Sequence, residues 1–349
     1  MTTFDKRTLT EPVDRKTGRT EALHMLAATG DGVTTRRFAA KTWFIGVGTA
    51  VGMALVAAGA VLILGMIVSL LTGHGISPVS AVLAWAILAV PYGYRRIGRI
   101  VVQLRDTEDR WYRLRRFAQA NGLTHELKET EPVRAAAIFA RAEGPQLDDP
   151  VTGTSPRPFE VANLSFHIGG GQARIDVAMA YARFVVSAEL PPMSLQSVTA
   201  RGGAAWRVEK PQTVISVDEE FDRRFKVFCG PEDEAAVRAV LDAGTRGALL
   251  TVAGDADVQV IGQEVWFVAR QDLRLQDPVV WEWVEDLSGL LDRGLDPRPG
   301  AATPDDDPAR AERCRKLLRG AGAARPFLLG CLVPIVLATA VVVIGALVR

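Results

Sequence analysis

The sequence predicts an α+β membrane protein, with three transmembrane helices and a cytosolic domain built on a largely antiparallel sheet with flanking helices. Two observations carry the membrane part. Residues 42–94 and 326–348 contain no Asp, Glu, Lys or Arg, and a charge at the centre of a spanning helix costs about 2.5–3.5 kcal/mol. Arginines and lysines also crowd one side of each charge-free run. The domain part rests on a third observation. Between the runs, strand-like segments come in groups, with helical periodicity at both ends instead of strict alternation.

Residues 1–42 are rich in Thr, Arg, Lys and Asp and read as a disordered cytosolic tail, with a short helix around Glu21 to Ala28. Residues 43–71 form the first expected span and residues 76–94 the second, joined by the tight connector Thr72-Gly73-His74-Gly75. Gly48, Gly52 and Gly59 lie on one stripe of the first span, a helix-packing face through which a homo-oligomer would form. Arg36, Arg37 and Lys41 precede the first span, Arg95, Arg96, Arg99 and Arg105 follow the second, and Arg310 to Arg325 lead into a third at residues 326–348. These clusters place the chain in the cell membrane as a multi-pass protein, N-terminus and main domain cytoplasmic, C-terminus outside.

Residues 95–295 read as a helical stalk plus the α+β domain. Trp111, Leu114 and Phe117 continue a three- and four-residue periodicity to about Ala120, where Asn121-Gly122 ends the helix. A strand at Leu123–Leu127, a helix at Pro132–Ala142 and a Pro/Gly/Asp-rich loop to Pro158 follow. Phe159–Ile168 and Gln172–Leu190 bracket Gly169-Gly170-Gly171 as a hairpin. Strands are expected at Thr213–Val217, Phe221–Cys229, Asp257–Ile261 and Glu264–Ala269, and a helix after Pro231. The closing helix is capped by Asp277 and opened by Pro278. Its apolar stripe (Val280, Trp283, Val284, Leu287, Leu290, Leu291) opposes Glu282, Glu285 and Asp286. Residues 296–325 are a flexible linker with a short basic helix. Arg310, Arg313, Arg315, Lys316 and Arg319 suit an anionic leaflet or serve only as a topology signal.

The chemistry-bearing residues form no motif, so the sequence assigns no catalytic, cofactor-binding or metal-ligating residue and no cofactor. Gly169–Gly171 lacks the Lys-Ser/Thr of a phosphate loop. His24, His74, His125 and His167 have no ligand spacing. Cys229 has no activating neighbour, and with Cys314 and Cys331 makes the chain's three cysteines. Asn163-Leu164-Ser165 matches a glycosylation acceptor that an inward-facing domain would never use. The face Asp222, Arg224, Lys226 and Phe228 reads as a charged sheet surface. A net charge of +1 implies no nucleic-acid partner.

The stretch Phe221-Asp222-x-x-Phe225, an acid-started helix, two short strands and an amphipathic closing helix resemble uncharacterised bacterial integral membrane proteins of high-GC Gram-positive type. Those proteins pair an N-terminal transmembrane hairpin with a cytosolic α+β domain. The similarity covers roughly residues 43 to 293, and it implies no activity. The expected function is a membrane-tethered interaction or regulatory module, with the lipid bilayer and a membrane or cytosolic protein as partners. The alternatives are a membrane-associated enzyme with a site assembled from distant residues, and an oligomeric transporter or channel component.

Overall fold

The computed structural model describes residues 3–28, 106–140, 142–155, 157–169, 175–200, 212–296 and 308–319. The chain divides into two units, one of residues 1–15 and 110–322, the other of residues 16–109 and 323–349. The second is described only at 16–28 and 106–109, both helical. In chain order the elements are α1 (Arg7–Thr10), α2 (Arg15–Ala28), α3 (residues 106–120), β1 (Thr124–His125), β2 (Lys128–Thr130) and α4 (Ala137–Ala140). Then come β3 (Glu143–Gly153), β4 (Phe159–Ile168), β5 (Ile175–Ser197), β6 (Thr213–Ile215), α5 (Glu219–Asp222) and β7 (Phe225–Cys229). The last are α6 (Glu234–Val240), α7 (Ala243–Val252), β8 (Asp257–Ala269), α8 (Pro278–Leu290) with a π-helical turn at Leu291–Leu295, and α9 (Pro308–Arg319).

The membrane architecture is corrected. No described helix is long and apolar enough to cross a membrane. At about 1.5 Å per residue, the 15 described residues of α3, the 14 of α2 and the 13 of α8 reach roughly 20–23 Å, short of the roughly 30 Å hydrocarbon core. The α8 helix also carries three acids. The three-span fold, the multi-pass membrane class and the inside–outside localisation therefore do not stand. The segments 43–71, 76–94 and 326–348, with Gly48, Gly52 and Gly59, lie outside the described residues.

The sheet is eight-stranded and antiparallel, in the order β1-β3-β4-β5-β7-β6, with β2 beside β1 on β3 and β8 on β5. The long strand β5 organises it. One edge of β5 pairs β4 along its first half and β7 along its second, while β8 runs along the other edge. Pro191 and Pro192 lack the N–H a ladder needs, and they fall where the β5–β8 register shifts. That irregularity carries the strand past Leu190, its expected end, to Ser197. On the facing strand Gly262 takes φ +57°, so residues 257–269 form one bulged strand instead of the expected two. The expected loop before Pro158 is β3, bulged at Asp148–Val151. The expected helix at Pro132–Ala142 is the single turn α4.

Both faces of the sheet are covered. Val161, Ala182, Val265 and Phe267 point into a large core shared with α3, α7 and α8. Their neighbours Ala162, Tyr181, Trp266 and Val268 point into a smaller one, closed by Ala136, Ile138 and Phe139. Gly153 ends β3 against the ring of Phe159, and a Cβ there would stand 2.3 Å from the ring's Cε1. Gly153→Ala should therefore lower stability by about 1–3 kcal/mol through overpacking. A denaturant midpoint equal to that of the wild type would show that the Phe159 ring yields freely.

Candidate interaction site

The closing helix α8 is built as the sequence suggests. Asp277 accepts a hydrogen bond from the Val279 N–H, and Pro278 occupies the first turn. Its apolar side enters the main core, with the Trp281 indole N–H donating to the Leu275 carbonyl and that of Trp283 to the Val252 carbonyl. The acidic side departs from expectation, because Glu285 is only 2% exposed. One of its oxygens, Oε1, accepts from the Phe4 backbone N–H at 2.7 Å and from Lys6 Nζ at 2.6 Å. The other, Oε2, accepts from Arg310 Nη2 at 3.0 Å. A single carboxylate thus holds a segment near each end of the chain.

Residues 3–11, expected to lack fixed structure, lie in a groove between α3, α8 and β4. The Phe4 ring meets Phe117, Phe159 and Trp281 edge-to-face, at 5.8, 5.9 and 5.4 Å between centroids. Such pairs contribute about 0.5–1.5 kcal/mol each beyond area burial. Asn121 reads the next residue's backbone twice, its Oδ1 accepting from the Asp5 N–H at 2.7 Å and its Nδ2 donating to the Asp5 carbonyl at 3.1 Å. Leu9 is buried, and Arg113 donates to its carbonyl. Arg116 reaches Glu11 at 3.3 Å. Within the segment, hydrogen bonds from Arg7 hold the Asp5 carboxyl down at about 2, so Asp5 stays charged at any ordinary pH.

The basic helix α9 packs on α8, with Arg310, Arg313 and Arg319 turned towards acids of the domain. Arg310 bonds Glu285, Asp286 and the Glu282 carbonyl, while Arg313 bonds Glu282. Arg319 bonds the buried Asp255 at 3.0 Å. Cys314 and Leu318 enter the core, and the Gln271 amide donates to the last-turn carbonyls of Leu317 and Leu318. Arg315 and Lys316 pair with Glu312 on the helix's own surface. Burial pushes the Cys314 thiol up to about 12, and the Asp286 and Glu282 charges push the same way.

Several other polar clusters are internal ties. Asp257 binds Arg270 and the Ser197 N–H, and Asp255 accepts from Thr199. Arg157 is clamped between Asp292 and Asp296 at the π-turn. Under the second face, Tyr181 donates to Glu160, which also takes Arg134 in a bidentate pair at 3.1 and 3.0 Å. Burial, reinforced by the Glu160 charge, holds the Tyr181 phenol protonated well above its usual range. Asp149 is the strained member of the set, with φ +55° at the β3 bulge. Its buried carboxylate lies 2.9 Å from Arg110 Nε and 3.6 Å from His125 Nε2. Neither His125 ring nitrogen has a hydrogen-bond partner among the described residues.

Other sequence candidates are placed as follows. His24 is exposed on α2, and His167 pairs with Asp176 beside the hairpin end. Cys229 is buried at the end of β7, and burial raises its thiol. Asn163 is buried, trading hydrogen bonds with the backbone N–H and carbonyl of Leu273. The charged face expected at Asp222–Phe228 is broken up, because Asp222 ends α5 and accepts from Ser216 and the Val217 N–H. His74, Gly170, Gly171 and Cys331 lie outside the described residues. Among the described residues, no group of three or more His, Cys, Asp or Glu is placed to hold a metal. Sequence reasoning missed Phe4, Lys6, Leu9 and Asn121 as a set. The one signal available was an aromatic and a leucine standing alone in a polar tail.

No protein-family model matches the chain, and no curated protein is similar to it in sequence. Among solved structures, the chain is similar to the crystal structure of the mycobacterial trehalose monomycolate transport factor A, TtfA. The two are 9% identical, with 51% of this chain and 92% of that one covered and a TM-score of 0.35. Likeness at that score assigns no role.

Two outcomes follow from this geometry. Glu285→Ala should cost about 1.5–3 kcal/mol, the range for hydrogen bonds to charged groups, and should speed amide hydrogen exchange in both residues 3–11 and residues 308–319. Acceleration in one segment alone would show that they are held independently. The second outcome concerns Cys314, whose folded thiol titrates near 12 against an ordinary 9.0. A raised folded value means that its stabilisation is complete below pH 9 and is lost as pH rises towards 12. Site-resolved alkylation of Cys314 should be slow at pH 8.5 and should accelerate in Arg310→Ala, where exposure of the thiol outweighs the loss of a cation that lowers its pKa. Equal rates in the two proteins would show that Arg310 does not hold α9 down.

Proposed function

We propose that the chain is an interaction or regulatory module that acts by binding a protein partner. The observation supporting this reading is the groove itself, which receives residues 3–11 in the manner of a peptide ligand. It offers an aromatic pocket for one side chain, a carboxylate for a cation two residues on, and an amide that pairs with the backbone between them. Main-chain pairing supplies affinity in such sites and side-chain pockets supply specificity. The other charged clusters described are engaged with one another in ways that fasten elements together, which is the expected use of buried ions outside a reaction centre.

Regulation follows from the same contacts. An occupied groove is closed to partners, and anything that releases the segment opens it. The full chain should be cross-linked in cell extract as the wild type and as Lys6→Glu, which sets two carboxylates against each other at Glu285. The reading expects one protein cross-linked to residues 113–121 or 281–285, enriched several-fold by the variant. If no protein reaches these residues in either form, the reading fails.

A further inference from the structure

We infer that the groove recognises a segment in trans with Phe at one position, Lys or Arg two residues on and Leu five residues on, the Leu carried on a single helical turn as in α1, and that residues 3–11 are its built-in competitor. This rests on the interaction-module reading and names the partner's chemistry. The cis segment defines the pattern. Phe4 is buried among the rings of Phe117, Phe159 and Trp281, a pocket of aromatic width. Lys6 stands two residues on, where a buried carboxylate accepts its ammonium. Leu9, five residues on, is buried in the main core, with its carbonyl held by Arg113.

The residue between the first two anchors is read without regard to its side chain. Asn121 meets its N–H with Oδ1 and its carbonyl with Nδ2, so the groove accepts any residue there that carries an N–H, which leaves out proline. Asp5 and Arg7 face each other across the solvent side of the segment and touch neither pocket. The positions that the groove reads are therefore separable from those it ignores, as specific recognition of a short segment requires.

Competition in cis sets the size of the effect. The apparent affinity of a free segment is its intrinsic affinity multiplied by the fraction of molecules with an open groove. Weakening the docked segment raises that fraction directly. Lys6→Glu does this without truncating a core side chain, whereas Phe4→Ala removes one and serves only as a second variant.

The test uses the full chain and a fluorescent nonapeptide of the sequence of residues 3–11, Thr-Phe-Asp-Lys-Arg-Thr-Leu-Thr-Glu. By polarisation, Lys6→Glu should bind it at least tenfold more tightly than the wild type. A peptide with Phe→Ala or Lys→Glu should lose at least tenfold. Adding Asn121→Ala to the Lys6→Glu protein should weaken every peptide by the same factor, including one with Ala in place of the Asp. Equal affinity for all peptides, or equal affinity of wild type and Lys6→Glu, overturns the inference. So does a concentration-dependent dimer of the wild type that the free peptide dissolves, which would reassign the groove to the arm of a second copy. Should Phe4→Ala fail to fold, exchange of the Phe4 and Asp5 amides in the wild type decides the same point. Opening there at the rate of global unfolding would mean that no open groove exists. Peptide binding without a cross-linked protein partner would leave the recognition pattern intact while removing the proposed function, so the two fail separately.

Discussion

A buried carboxylate must be matched by donors, because an ionised oxygen left alone in a protein interior costs several kcal/mol. Glu285 meets this constraint by dividing its two oxygens between partners that come from opposite ends of the described chain. The Phe4 N–H is 281 residues away in sequence, and Arg310 is 25. The rest of the site follows from that demand. The α8 helix is fixed at its start by Asp277 and Pro278 and buried along its apolar side, so Glu285 has no freedom to swing into water. The polypeptide must bring the donors to it.

The elements legible in the sequence are those whose signals are local. The α8 helix announces itself by a cap, a proline and a helical stripe, and β4 by the alternation of Leu164, Phe166 and Ile168 with Ser165 and His167 before a glycine. The C-terminus of α3 is marked by Asn121-Gly122, where Gly122 takes φ +65° and the Leu123 N–H returns to the Ala118 carbonyl. The elements that misled are those in which a breaker is absorbed by an irregularity. Pro145, Asp148, Asp149 and Pro150 read as a loop, yet the register shifts of β3 seat them within a strand. Pro191-Pro192 and Gly262 each suggest a strand end, and each is accommodated by the shifted pairing of β5 with β8. Bulges leave no composition signal apart from the residues that usually end strands.

The candidate site was hidden for a different reason. Residues 3–11 bear two large apolar side chains among polar ones, and by composition alone such a stretch stays unfolded. Its order is supplied by surfaces made elsewhere, from Phe117, Asn121, Phe159, Trp281 and Glu285. No periodicity within the segment encodes them. The same holds for α9, whose arginines have two indistinguishable uses until Glu282, Glu285, Asp286 and Asp255 are seen to face them.

Sharing one carboxylate also couples the two segments. When residues 3–11 leave the groove, Oε1 loses two donors together, and the space vacated by Phe4 admits water to replace them. That water raises the local dielectric beside Oε2 and so weakens its attraction for Arg310. Conversely, departure of α9 leaves Oε2 unmatched and draws Lys6 and water into competition for the same charge. Either release changes the cost of the other, because both segments draw on one charge. The magnitude of this coupling is bounded by the single shared group, a few kcal/mol at most by the worth of hydrogen bonds to charged groups. A ligand that displaces the N-terminal segment therefore reaches α9 without touching it, through no path longer than the two oxygens of Glu285.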